Sequence, residues 1–151
     1  MNGDVVFDPQ VLERVKDLIA GEQSFICVNT AAVGDEEVKY TVDTDGFVLG
    51  LSKTVTDALG ESVGINYVSA ADKPRLIERL AECEDGDYFE RGLELMIEKD
   101  GVRVVPYDIR DLFAGRMALG DVLELDAYFR AGAIAPPRYE PAWIKNQPAL
   151  A

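Results

Sequence analysis

One lysine and a few carboxylates are the residues of this chain best suited to phosphoryl chemistry. Asp4 stands just before the apolar run Val5-Val6-Phe7, and Glu124 and Asp126 close the run Val122-Leu123-Glu124-Leu125-Asp126. Side chains alternate along a strand, so Glu124 and Asp126 point to one face. Three hard oxygen donors meeting at two strand ends would hold Mg²⁺, which takes a few carboxylates and completes its shell with water and phosphate oxygens. Lys53 follows the run Phe47 to Ser52 and is a compact positive charge suited to a phosphate. Glu61 could pair with that lysine or with a cationic group of a substrate. Tyr67, Tyr88 and Phe89 could build an aromatic wall for a quaternary ammonium, or serve as ordinary core and rim aromatics. Each feature also has a plain reading on its own: Asp4 as a solvated terminal residue, Lys53 as a surface charge, and the Glu-Leu-Asp run as chance.

Composition narrows the chemistry further. The chain has 151 residues and no histidine, which removes Ser-His-Asp and Cys-His nucleophile schemes and His-ligated metal sites. Its net charge of −13 argues against a nucleic-acid groove or an anionic membrane surface as partner. Cys27 and Cys83 lie far apart in an acidic sequence and read as reduced thiols, so a cytoplasmic location is expected. No apolar run approaches membrane-spanning length, and the start Met1-Asn2-Gly3-Asp4 is unlike a signal peptide.

The elements that must position these residues follow from pattern. Val5-Val6-Phe7 is a short strand, and Asp8-Pro9 opens a helix over Gln10 to Ala20, with Val11, Val15, Leu18 and Ile19 on one stripe and Gly21 as its stop. Ser24 to Asn29 reads as a buried central strand. Val38 to Val42 and Phe47 to Ser52 form a hairpin through Thr44-Asp45-Gly46. A loop then delivers Glu61 ahead of a strand over Val63 to Val68, and Ser69 caps a helix from Ala70 to about Cys83. A second amphipathic helix is expected over Asp87 to Lys99, a strand over Val102 to Tyr107, a last strand over Val122 to Leu125 and a short helix from Tyr128 to Ala131. The tail from Ile134 carries four of the seven prolines and the only tryptophan, Trp143, and cannot form a regular element. Strands alternating with helices, with one hairpin, predict a three-layer α/β domain: a mixed sheet with helices on both faces. The division expected is a domain over 1–132 and a proline-rich arm over 133–151.

Taken in order, these segments resemble the acceptor half of the small nucleotidylyltransferases, the group of cytidylyltransferases acting on phosphocholine, phosphonates and sugar phosphates. Asn2-Gly3-Asp4-Val5-Val6-Phe7-Asp8-Pro9 resembles the family's strand with a metal-contacting aspartate that leads into a helix. Glu37 to Lys53 resembles its acceptor-side hairpin and lysine, and Gly60 to Ser69 its GES-(I/V)-G-(I/V) strand. Asp87-Tyr88-Phe89-Glu90-Arg91-Gly92-Leu93 is similar to the YYEDAL helix start, and Val122 to Asp126 to the closing W-x-E-I-D motif. The resemblance covers about residues 2 to 132. It implies a partial, Rossmann-like nucleotidyltransferase fold that binds Mg²⁺ through Asp4, Glu124 and Asp126 and the acceptor through Lys53, Glu61, Tyr67 and Tyr88.

Departures from the family pattern shape the expected function. The family opens with a Gly-rich loop, AAG-x-G-(S/T)-R, whose backbone N–H groups wrap the nucleoside triphosphate. No G-x-G occurs in this chain, and the tryptophan expected before the last acids is replaced near Gly120-Asp121. The expectation is therefore half an enzyme: the acceptor and metal side of a transferase that moves a nucleoside monophosphate, CMP foremost, onto a phosphate or phosphonate. A Gly-rich partner subunit would supply the nucleotide site, and the isolated chain would be inactive. The alternative is a non-catalytic binding or assembly module of the same fold. Association through a partner chain or a homodimer is expected, because the absent half would leave strand edges uncovered.

Overall fold

The computed structural model describes residues 5–7, 10–30, 33–34, 37–111 and 113–116, with side chains over 10–30, 33–34 and 37–111. All of them belong to one compact unit, Met1–Met117. Its elements in chain order are β1 (Val5–Phe7), α1 (Gln10–Ala20), β2 (Phe25–Asn29), β3 (Lys39–Val42), β4 (Val48–Ser52), β5 (Gly60–Tyr67), α2 (Lys73–Leu80), α3 (Phe89–Asp100), β6 (Val105–Asp108) and β7 (Phe113–Arg116).

Five strands form one mixed sheet in the order β4-β3-β5-β2-β6, so the unit is an α/β fold. Every neighbouring pair is antiparallel except β2 and β6, which run parallel. β1 pairs separately with β7, Val5 opposite Arg116 and Phe7 opposite Phe113. Among the described residues, no helix is long and apolar enough to cross a membrane.

The strand β2 explains where the core sits. Ile26 and Val28 enter one apolar cluster with Leu76 of α2 and Leu93, Met96 and Ile97 of α3. Phe25 and Cys27 enter another with Val11 and Val15 of α1. Alternation along a strand sends neighbours to opposite faces, so a continuous apolar run is what a strand buried on both faces requires. Burial pushes the Cys27 thiol up to about 12, so it stays a neutral apolar group.

Several local details differ from the sequence expectations. α1 does not use Gly21 as its left-handed stop: Gly21 N still donates to Asp17 O at 2.9 Å, and Glu22 takes the left-handed conformation at φ 53°. The strain at Glu22 is offset by tertiary contacts, since its carboxylate accepts Tyr67 Oη at 3.2 Å and Ala70 N at 2.8 Å. The next helix begins later than Ala70, at Lys73. Ser69 organises the turn before it, accepting Asp72 N at Oγ (3.1 Å) and donating to Asp72 Oδ2 (3.0 Å), while Ser24 Oγ donates to the same carboxylate oxygen at 2.7 Å. Glu61 lies inside β5 rather than in a loop before it, because Gly60 and Glu61 pair with Tyr40 and Lys39 of β3. The strand β7 was not expected, as Phe-Ala-Gly-Arg carries no alternating signal. The strand and helix expected over 122–125 and 128–131, and the boundary at 132, lie outside the described residues.

α2 and α3 are joined by a charged clamp. Arg79 donates to both oxygens of Asp100 at 2.9 Å and also pairs with Glu82, which accepts Lys99 Nζ at 2.5 Å. The Arg79 hydrogen bonds, then the charges of Arg79, Arg75 and Lys99, hold the Asp100 carboxyl below its usual range against the upward push of burial. A carboxyl depressed in the folded state contributes stability that is complete above the unfolded carboxylate range and is lost as pH falls through the folded value. The melting temperature is therefore expected to be flat from neutral pH down to roughly 5 and to drop below about 4. Asp100→Asn should lower the neutral melting temperature and make the acid drop shallower. Melting curves followed by circular dichroism across that range check both; an acid limb unchanged by the substitution would remove Asp100 from the account.

Candidate functional site

The sheet register sets a polar row across four adjacent strands. Ser52 of β4 faces Lys39 of β3, Lys39 faces Glu61 of β5, and Glu61 faces Asn29 of β2. In β2, Asn29 alternates with Val28, and in β3, Lys39 alternates with Tyr40; both Val28 and Tyr40 enter the α3-side core. The row therefore points away from α3, at the sheet end where β4 stops.

Glu61 is held on both oxygens. Oε1 accepts Asn29 Nδ2 at 3.1 Å, and Oε2 accepts the Gly34 amide at 3.2 Å. The glutamate thereby ties the β2–β3 connection to the sheet. Lys39 Nζ donates to the Lys53 carbonyl at 3.2 Å and fixes the chain where it leaves β4. The same sheet end carries Asp108 of β6. Burial pushes its carboxyl up, but Thr30 Oγ1 at 2.7 Å, the Arg110 amide at 3.0 Å and the Arg110 guanidinium together hold it below the usual range.

Lys53 follows β4 and is exposed, with its ammonium over the Tyr88 ring at 5.8 Å from the centroid. Tyr88 is the residue ahead of α3, extended at φ −84° and ψ 160°, and its half-buried ring packs on the α3-side core. A cation near an aromatic face at this range is attracted by the ring quadrupole. Of the residues expected to serve the acceptor, Lys53, Glu61 and Tyr88 thus come to one end of the sheet.

Tyr67 does not join them. Its ring stacks on Phe25 at 5.6 Å and its hydroxyl reaches Glu22. Burial, then the charge of Glu22 and the hydrogen bond to it, pushes the Tyr67 phenol up. On β2 the partners of Glu61 and Tyr67 are Asn29 and Phe25, four residues apart, or about 13 Å along a strand. The register shift between Ile26 and Val28, at a bulge where Gly64 adopts φ 76°, takes up the two extra residues of β5.

Asp4, Glu124 and Asp126, the expected metal ligands, lie outside the described residues. Among the described residues, no group of three or more His, Cys, Asp or Glu side chains is placed to hold a metal ion. Sequence reasoning missed Lys39, Asn29 and Asp108. Lys39 opens β3, and its pairing with Glu61 depends on a register that no local signal specifies. No protein-family model matches this chain, and no curated protein matches it.

Proposed function

We propose that this chain is the acceptor-binding and metal-binding side of a nucleotidylyltransferase. It would receive a phosphorylated or phosphonate small molecule at the sheet end marked by Lys53, for transfer of a nucleoside monophosphate, CMP foremost. The finer fold reading goes with it: a three-layer, Rossmann-like half-domain, supported by a β2 whose alternate residues enter two separate cores. The observation that carries the function is the position of Lys53, exposed at the end of β4 and anchored through its carbonyl by Lys39. A backbone fixed in this way places a mobile cation at a set point, which is what capture of an anionic group requires.

The chemistry is in-line attack of an acceptor oxygen on the α-phosphorus of a nucleoside triphosphate, with pyrophosphate leaving. An acceptor that is already an anion needs no general base, which suits a chain without histidine. Asp4, Glu124 and Asp126 are the residues that would hold Mg²⁺; as carboxylates they fit a hard divalent ion, which when bound offsets the charge gathering on the phosphates. A Gly-rich partner would cradle the triphosphate. The second reading, a non-catalytic binding module, is favoured by one observation: both Glu61 oxygens are taken by the chain itself.

Calorimetric titration of the full chain with ethyl phosphate tests the acceptor role. Binding is expected, and Lys53→Ala should weaken it about tenfold or more, the scale of a lost charge-assisted contact. CTP, UTP and ATP with Mg²⁺ should give no micromolar binding to the chain alone. Ethyl phosphate binding unaffected by Lys53→Ala would overturn the site, and micromolar nucleotide binding would overturn the need for a partner.

A further inference from the structure

Glu90 is a buried carboxylate whose charge nothing in the fold answers. It is the second residue of α3, is 2 % exposed, and its Oε1 is buried without a hydrogen-bond partner. The neighbouring cation on the same helix, Arg91, is committed to Glu94 at 2.5 Å. The first turn of a helix favours a negative charge through its free amides, but that partial charge falls short of the cost of taking a carboxylate out of water. A buried polar group left unpaired is a strong sign of an absent partner.

The position of Glu90 says what kind of partner it lacks. Leu93 and Ile97 stand three and seven residues farther on and share its face of α3. Ile97 meets the start of β4, lining a surface hollow with Val48 and Leu49. Seven helical residues span about 10 Å, close to the length from Val48 to Ser52, so Glu90 lies level with the end of β4. That is where Lys53 leaves the strand and where the Tyr88 ring accepts its ammonium. A buried anion and an aromatic face side by side form a seat for a cation.

We propose that Glu90 and Tyr88 form a subsite for an organic ammonium group on the acceptor, so that the molecule bound is a phosphorylated or phosphonate amine rather than a sugar phosphate. This rests on the acceptor reading above. In the free protein Lys53 occupies the ring face. The ligand's phosphate draws Lys53 away, and the ligand's own ammonium takes its place on Tyr88 and satisfies Glu90 Oε1. Each charge of the zwitterion then has an opposite charge, whereas a sugar phosphate would leave Glu90 desolvated and unanswered.

The test compares 2-aminoethyl phosphate with ethyl phosphate by calorimetry on the full chain. The amine should bind at least about tenfold more tightly, the scale of one charge-assisted hydrogen bond. Glu90→Gln should bring the ratio close to one while leaving ethyl phosphate affinity unchanged, and Tyr88→Leu should reduce the ratio in part. Equal affinities in the wild type, or a preference that survives Glu90→Gln, would overturn the subsite and leave the acceptor reading standing. Binding of neither ligand would overturn both. Should Glu90→Gln fail to fold, the wild-type ratio and the Tyr88→Leu variant still decide the matter.

Discussion

Gly60→Ala is expected to cost about 3 kcal/mol, at the upper end of what overpacking does, and to disturb the row that holds Lys39 and Glu61. A Cβ at Gly60 would lie 2.4 Å from Asn29 O and 3.1 Å from Asn29 C, and 3.0 Å from the Tyr40 ring. The obstacle is backbone on one side and a buried ring on the other. β2 cannot retreat, because it is hydrogen-bonded to β5 and to β6. Gly50→Ala is the control: its Cβ would meet Thr41 Oγ1 at 2.9 Å and Val55 Cγ2 at 3.4 Å, side-chain atoms that can turn aside. Urea unfolding of both variants should separate them by about 2 kcal/mol. Similar midpoints would mean that the strands part easily at Gly60 and that the site end of the sheet is soft.

Ile26→Ala should destabilise the protein by about 3 kcal/mol through lost burial and the cavity left behind. Ile26 is fully buried in the cluster that holds α2 and α3, while Val15 lies in the cluster that holds α1. Val15→Ala should produce a smaller loss of its own. With β2 between them and no shared cluster, the two losses should add in the double variant to within a few tenths of a kcal/mol. Denaturant midpoints of the two single variants and the double check this. A large coupling term would show that the two faces of the sheet behave as one core.

The helices and the hairpin were legible because their signals are local. Val11 and Val15 repeat at helical spacing, and α1 runs over Gln10–Ala20 as the pattern requires. The hairpin was read from Thr44-Asp45-Gly46, and the structure adds the reason the turn holds: Asp43 Oδ1 accepts the Asp45 and Phe47 amides, each at 2.9 Å, and Gly46 takes φ 87°. Element ends were less legible. Glu22 takes the left-handed position beside a glycine that was free to do so, because partners from β5 and the turn after it reward that choice.

The sequence by itself determined the α/β class, the run of apolar residues in β2, and the presence of a lysine at the end of β4, since each depends on residues close together in the chain. Only the tertiary structure decided what stands beside that lysine. Sheet register, a property of hydrogen bonds between distant segments, aligned Lys39, Glu61 and Asn29, and a bulge at Gly64 set Tyr67 about 13 Å from them along the strand. The packing of α3 against β4 brought Tyr88 under Lys53 and left Glu90 buried without a partner. In the sequence Glu90 is one acid among 28. Burial alone sets it apart, because a carboxylate in water is ordinary and one sealed away from both water and counter-charge is not.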